Sequence, residues 1–241
     1  MSTLKQYYLL TPSHVREPYL FYLVTHPPES IIHLRRTPAE SAPKKSKKST
    51  AKRDKKKDRS TTAEQEIVQP PPTIIFCARA RSAAYLTHML KSLGIKSAAL
   101  HSRLTQRERL SSLSLFRSSV VPVLISTDVG SRGLDIEEVA LVINWDVPSE
   151  PEEYTHRVGR TARKGKGGVA VSFVTERDED RVLKIEARIS AYQISYFLPR
   201  KKKGADDGAR RYEIIRNDGS GGEGVGEIEH GISGETARKH G

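Results

Sequence analysis

The sequence predicts a single α/β domain in which a parallel sheet is covered by helices on both faces. Between residues 73 and 189, short apolar runs typical of strands alternate with segments of helical periodicity. The connections between them are short, which favours parallel strands that are joined through helices. The length of 241 residues allows one ordinary domain or two small ones.

The domain begins before this alternation, in residues 4–36. Residues 4–10 have the pattern of a strand, and a proline opens a short predicted helix from Pro18 to Val24.

Residues 70–194 form the rest of the predicted domain. Thr105 and Glu108 predict a capping box at the start of one helix, and Gly94 predicts the end of the helix before it. The last helix carries its apolar residues on one side. The predicted strands cover 73–78, 96–100, 121–126, 139–144 and 169–175, and the predicted helices cover 80–92, 105–117, 150–158 and 178–189.

A lysine-rich insertion at residues 37–69 separates the two parts and is predicted to be disordered. Residues 35–59 hold 12 basic and 3 acidic residues, so this stretch supplies +9 of the net charge of +12. It contains too few apolar residues to offset the entropy of ordering it. The lysine runs within it indicate a nuclear localisation signal, an RNA tether or a solvated loop.

Residues 195–241 are predicted to be a disordered or weakly ordered tail. Of the 17 glycines in the chain, 10 lie in residues 199–241, and no periodicity is sustained there. Such a composition does not specify a helix or a buried strand.

Several classes of protein are excluded by composition. The single cysteine, Cys77, leaves no disulfide framework and no cysteine-ligated zinc site. The apolar runs are far shorter than the roughly 20 residues that cross a bilayer. The first residues lack the apolar core of a secretion signal, so we expect a soluble intracellular protein.

The densest cluster of chemically active side chains is residues 156–163, HRVGRTAR. Arg160 and Arg163 are three residues apart and would share a face if the preceding helix extends that far. Two guanidinium groups aimed together suit the charge of a transferring phosphoryl group. The same residues would also fit a solvated basic face.

A second candidate segment is residues 126–135, STDVGSRGLD, directly after a predicted strand. Ligands of parallel sheets bind beyond the carboxyl ends of the strands. Small and hydroxyl residues at such a place allow the backbone to approach a phosphate or a sugar. Taken singly, Gly130 and Gly133 could be ordinary turn residues, and Asp135 could be a cap.

Together these two segments resemble motifs V and VI of DEAD-box RNA helicases. Residues 74–77 (IIFC) resemble motif IV, and residues 100–102 (LHS) with 106–109 (QRER) resemble motif IVa. The resemblance covers roughly residues 4–36 and 65–190. It implies the C-terminal RecA-like domain of an ATP-dependent RNA helicase.

The resemblance also implies which residues are catalytic, bind the nucleotide and contact the partner domain. Arg160 and Arg163 would be catalytic as arginine fingers that reach the γ-phosphate of ATP, and they would bind the nucleotide together with Gly133 and Asp135. His156 would contact the partner domain.

The RNA-binding residues that the resemblance implies are Arg107, Thr127 and Arg132. They would hold the sugar-phosphate backbone of a single strand or short duplex without reading its sequence.

The sequence departs from the family in several ways, among them Ala78-Arg79 in motif IV, where many members have Asn-Thr. It has no phosphate-binding loop of the GxxxxGK[ST] type, so the N-terminal RecA-like domain that would chiefly hold ATP and Mg²⁺ is missing. This chain alone is therefore expected to be inactive as an ATPase. The alternative function is a truncated, non-catalytic RNA-binding or regulatory module.

Ser102 and Ala162 stand where most members of the family have glycine. Both variants resemble a nucleolar subgroup that acts in assembly of the small ribosomal subunit. We therefore expect a monomer in the nucleus and nucleolus that acts in rRNA processing, with no membrane association and no metal site of its own.

Overall fold

The computed structural model describes residues 4–36, 68–131, 136, 138–163 and 167–189, together with the backbone of three strands between residues 194 and 228. The remaining residues lie outside this description. They include most of the predicted insertion and most of the predicted tail.

In the described residues, six parallel strands form the main part of a nine-stranded sheet, in the order β3-β4-β2-β5-β6-β1. This arrangement confirms the predicted fold class. From β2 the chain passes to β3 and returns through β4 beside β2, and it then crosses to β5 on the other side of β2 and continues to β6 beside β1. This path brings the ends of β4, β2 and β5 side by side. The strands are β1 (Leu4–Leu10), β2 (Thr73–Phe76), β3 (Ser97–Leu100), β4 (Val123–Ser126), β5 (Leu141–Asn144) and β6 (Gly168–Val174).

In the described part of the chain, seven α-helices accompany the sheet, and five of them lie where the sequence predicts a helix. Two short ones, α2 and α5, are not predicted, because four residues are too few to show helical periodicity. The helices are α1 (Arg16–Thr25), α2 (Glu29–Ile32), α3 (Ala80–Ser92), α4 (Gln106–Arg117), α5 (Asp128–Ser131), α6 (Pro151–Val158) and α7 (Glu179–Ile189).

The helices cover both faces of the sheet, as predicted. Apolar residues of α1, α2 and α3 pack with one set of strand side chains, and those of α4, α6 and α7 pack with the other set. Every residue of β2, β4, β5 and β6 is buried. Strands that are buried on both faces consist of nearly continuous apolar runs, and the central strands of this chain show this composition.

Two predicted helix boundaries are confirmed in atomic detail. The Thr105 backbone N–H donates to Glu108 Oε2 at 2.8 Å, while Thr105 Oγ1 accepts from the Glu108 N–H at 3.3 Å, which completes the capping box of α4. Gly94 follows α3 with φ of 81°, the left-handed conformation that glycine adopts without steric cost.

Two residues at the end of the predicted insertion lie within the described part of the chain. Val68 and Gln69 are described, and Gln69 ties the returning chain to the turn before β3. Its side chain donates to the Gly94 carbonyl at 3.0 Å and accepts from the Lys96 N–H at 2.9 Å. Residues 37–67 lie outside the described residues.

The tail differs in part from the prediction. Residues Ile194–Pro199 form β7, which pairs in parallel with β1, and Tyr212–Arg216 and Gly224–Ile228 form the antiparallel strands β8 and β9. The sequence of β7, ISYFLP, is rich in residues with high β propensity. A run of six residues is too short to show a sustained pattern, and the open edge of β1 that receives it is not visible in sequence.

Candidate functional site

The candidate site is built where the chain leaves the neighbouring strands β4, β2 and β5. The segment after β4 turns directly into α5, and Thr127 at this turn is buried. Its N–H donates to the Leu100 carbonyl at 3.2 Å, and its Oγ1 accepts from the Gly130 N–H at 3.1 Å. Thr127 is therefore fixed between the end of β3 and the first turn of α5.

Gly130 allows α5 to approach the end of β3 closely. A Cβ atom at this position would lie 2.3 Å from the Leu100 carbonyl oxygen and 2.8 Å from the His101 Cα. Both neighbours are backbone atoms that cannot move aside easily. Packing thus requires glycine at position 130. Gly130 is therefore more than an ordinary turn residue, because it forms a close contact between motifs IVa and V.

Arg109 joins the same two motifs through its side chain. Its Nη2 donates to the Gly130 carbonyl at 2.9 Å, and its Nη1 donates to Gln106 Oε1 at 3.0 Å. Arg109 Nε is buried and has no hydrogen-bond partner among the described residues. Arg107, the residue predicted from sequence, lies exposed on α4.

Arg157 is the most buried arginine of motif VI, with 3% of its surface exposed. Its guanidinium forms a two-pronged ion pair with Asp128, in which Nε is 2.7 Å from Oδ1 and Nη2 is 2.6 Å from Oδ2. Two parallel hydrogen bonds fix the orientation of both groups more strictly than one would. Motif VI is thereby joined to the first residue of α5.

The third nitrogen of Arg157 reaches the end of β5. Its Nη1 donates to the Asp146 carbonyl at 2.7 Å and to Asn144 Oδ1 at 3.3 Å. The guanidinium carbon lies 5.3 Å from the centre of the Phe76 ring, at the end of β2. One side chain therefore contacts residues at the ends of three adjacent strands.

Asp146 extends this network to the loop after β2 and to α1. Its Oδ2 accepts from the Ala78 N–H at 2.8 Å, and its Oδ1 is 3.4 Å from Arg16 Nη2. The Arg16 guanidinium in turn lies 4.0 Å from the centre of the Trp145 ring, within the range of a cation–π contact. The Ala78-Arg79 loop of motif IV is held here by its backbone.

The predicted arginine fingers lie beyond the end of α6. Arg160 is half-buried and Arg163 is exposed, and Arg163 Nε donates to the Gly159 carbonyl at 2.5 Å. The Arg160 carbonyl accepts from the Val139 N–H at 3.0 Å, and Thr161 Oγ1 donates to the Val139 carbonyl at 2.6 Å. The backbone of this segment is thus anchored to the start of β5.

Ala162 lies in the left-handed region, with φ of 57°. This is the position where most DEAD-box members have glycine, and the backbone angle gives the physical reason for that preference. Ser102, the other departure, does not share this conformation, since Ser119 and Ala162 are the non-glycine residues with positive φ in the described part of the chain.

Of the remaining predicted site residues, one lies within the described part of the chain and three do not. His156 is exposed near the end of α6. Arg132, Gly133 and Asp135 lie outside the described residues.

Sequence reasoning did not single out four residues that build the site: Arg109, Asp128, Asp146 and Arg157. A signal was present for Arg157, because it follows the buried residue Tyr154 by three positions and so shares its face of α6. That position distinguishes it from Arg160 and Arg163, which lie beyond the end of the helix.

Burial shifts the protonation of two groups beside the site. It raises the pKa of the Cys77 thiol, with the negative charge of Asp146 as a further cause, so the thiol is neutral and unreactive. It also lowers the pKa of His101, which favours the neutral imidazole. In the described residues there is no cluster of three or more potential metal ligands and no helix long and apolar enough to cross a membrane.

Comparison with known proteins agrees with this geometry. Residues 57–165 match the family model described as helicase conserved C-terminal domain. The ATP-dependent RNA helicase DBP8 of Mycosarcoma maydis is 49% identical over an alignment of 199 residues that covers 78% of this chain and 38% of that protein. The solved C-terminal domain of the DEAD-box protein Dbp5 matches 82% of this chain and 91% of its own, with a TM-score of 0.59 and 26% identity. This chain carries a DEAD-box C-terminal domain.

The DEAD-box domain described here represents only a part of its relatives. The chain spans 38% of the length of the Mycosarcoma maydis helicase. A structure of Saccharomyces cerevisiae Dbp5 bound to RNA and ADP BeF3 matches 82% of this chain and 42% of that one, with a TM-score of 0.59 and 25% identity.

Proposed function

We propose that this DEAD-box domain is the C-terminal half of an ATP-dependent RNA helicase, which binds the RNA backbone and supplies arginine fingers for ATP hydrolysis. The observation that carries the proposal is the direct connection between motifs V and VI through Asp128 and Arg157. It sets a candidate RNA contact, Thr127, and the two candidate fingers on one rigid framework.

The exposure of their side chains supports Arg160 and Arg163 as the fingers. Arg163 is exposed and Arg160 is half-buried, whereas the Arg157 guanidinium is buried within the domain. A guanidinium that is open to solvent can contact the γ-phosphate when a second domain closes over it. ATP supplies the phosphoryl group for hydrolysis, with Mg²⁺ chiefly held by the N-terminal domain. The fingers would stabilise negative charge as it develops.

The RNA side is supported by three positions near the ends of β3 and β4. Thr127 is held in place by backbone contacts, Arg109 reaches the same loop, and Arg107 is exposed beside them on α4. Arginine and threonine suit phosphate and sugar oxygens, which are alike in every sequence. We therefore propose binding that is indifferent to sequence and sensitive to salt.

RNA binding by the chain tests this proposal directly. Labelled single-stranded RNAs of different sequence should bind with similar affinity, and Arg109→Ala should weaken all of them about equally. Arg107→Ala, on the exposed side of α4, should weaken them less. Arg117→Ala is the matched control at the far end of the same helix. Unchanged affinity in both Arg107→Ala and Arg109→Ala would contradict the proposed RNA face.

We also propose a nucleolar role in assembly of the small ribosomal subunit. The support is the resemblance of the Ser102 and Ala162 variants to that subgroup, together with the lysine runs at residues 44–57. A fluorescent fusion of the chain should accumulate in the nucleolus, and a fusion that lacks residues 44–59 should accumulate less. Equal distribution of both fusions through the cell would contradict this role.

A further inference from the structure

The ion pair between Arg157 and Asp128 is costly to build. Arg157 is 3% exposed and Asp128 is 23% exposed, so both charges lose much of their hydration in the folded domain. Apolar residues of similar volume often stabilise a fold as well as or better than such a pair. Stability alone therefore does not account for a fully hydrogen-bonded arginine at this position.

The pair lies between the two candidate functional segments. Asp128 directly follows Thr127, whose Oγ1 is bound within the same turn. On the other side, the Arg157 carbonyl accepts from the Arg160 N–H at 3.1 Å. The path from the candidate RNA contact to a candidate finger therefore consists of one ion pair and one backbone hydrogen bond.

The geometry of the pair makes this path stiff. Arg157 uses Nε and Nη2 on Asp128 and Nη1 on the Asp146 and Asn144 oxygens, so rotation of the guanidinium would break several bonds together. A lysine could keep the positive charge but could not form this planar fork. The arginine side chain, and not its charge alone, holds the arrangement.

We propose that Arg157 is a positioning residue, whose fork on Asp128 transmits RNA occupancy at Thr127 to the segment that carries Arg160 and Arg163. This inference rests on the proposed function and deepens it. Arg157 contacts neither RNA nor nucleotide in this account. It acts by keeping the two segments in a single relative arrangement.

The chain contains a reporter beside the pair. Trp145 is its single tryptophan, and the carbonyl of the next residue, Asp146, accepts a hydrogen bond from Arg157. Indole emission responds to nearby charges, and the Arg16 guanidinium already lies over this ring. A shift of the Arg157 fork should therefore change the emission of Trp145 without any ATP hydrolysis.

The test compares RNA affinity with the emission of Trp145 on the same samples. Anisotropy of a labelled oligouridine gives the affinity, and unlabelled oligouridine gives the emission change. The unchanged chain should bind oligouridine, and its Trp145 emission should change on binding. Arg157→Lys and Asp128→Asn should each bind oligouridine with an affinity within threefold of the unchanged chain. Each should nevertheless lose at least four fifths of the change in Trp145 emission. The double variant should lose no more of this change than either single variant. Arg188→Lys, in an exposed ion pair with Glu152 between α6 and α7, is the control and should respond fully.

Each outcome decides between the proposals. A folded Arg157→Lys variant with the full response, or an unchanged chain that binds RNA without any response, would overturn the positioning role and leave the proposed function standing. A chain that binds no RNA would overturn the proposed function and this inference with it. If thermal melting shows that Arg157→Lys does not fold, the milder Asp128→Asn decides.

Discussion

Ala162 carries a backbone strain that a single substitution can measure. Its φ of 57° is costly for a residue with a Cβ atom and costs nothing for glycine. We expect Ala162→Gly to raise the free energy of unfolding by about 0.5–1 kcal/mol, since relief of strain exceeds the added entropy of the unfolded chain. Chemical denaturation of both proteins measures the difference.

The matched control is Ala84→Gly, at an exposed position within α3. There the backbone is helical, and the same change should lower the free energy of unfolding by about 1 kcal/mol. The same alanine-to-glycine substitution should thus change the free energy of unfolding in opposite directions at the two positions. Destabilisation in both variants would mean that Ala162 is not strained as described.

The start of α4 is an element whose stability should depend on pH. Hydrogen bonds from the Thr105 side chain and backbone lower the pKa of Glu108, so its carboxylate stabilises the fold at neutral pH. Because a lowered pKa gives stability that is present above the unfolded value, this contribution disappears as the pH falls through the folded pKa.

Thr105→Ala removes the partner that lowers this pKa. At pH 7 it should lower the free energy of unfolding, because the helix loses its cap, and this loss should shrink below pH 4.5, the ordinary pKa of glutamate. Urea denaturation between pH 7 and pH 3 measures this. Ser114→Ala, exposed further along α4, should show no such trend. A cost for Thr105→Ala that stays constant across the range would contradict the reciprocal cap.

At the scale of the elements, the sequence predicted those features that depend on residues close together in the chain. The cap of α4 and the stop after α3 were predictable, because their residues lie within a few positions of each other. The enclosure of Arg157 was not, since it depends on Asp128, Asn144 and Asp146, which the sheet order brings together. The close approach of Gly130 to β3 was unpredictable for the same reason.

At the scale of the whole molecule, the motifs identify the family, and the division of labour is a proposal. The chain spans 38% of a relative that is 49% identical to it. Arginine fingers alone cannot orient a nucleophile, because a phosphate loop and a metal site must first position the nucleotide. We expect the purified chain to show no RNA-stimulated ATP hydrolysis. Turnover that Arg160→Ala abolishes would contradict this expectation.

The lysine-rich segment is the largest concentration of charge in the molecule. Deletion of residues 44–59 removes ten basic residues. If the segment tethers RNA, the plot of log affinity against log salt should become flatter, because fewer counterions are released on binding. Anisotropy titrations at several salt concentrations measure the slope. An unchanged slope and affinity would mean that this segment does not contact RNA.

The most direct measurement is single-turnover ATP hydrolysis at saturating RNA, in an enzyme that joins this domain to a helicase N-terminal domain. Arg160→Lys and Arg163→Lys should each slow hydrolysis roughly a thousandfold or more, nearly as much as alanine, because a lysine cannot replace the planar fork. Arg188→Lys should change it little. ATP and RNA affinity and thermal melting should also be nearly unchanged, since the contact forms mainly in the transition state. Near-normal turnover in Arg163→Lys, or loss of activity through unfolding, would contradict the arginine-finger account.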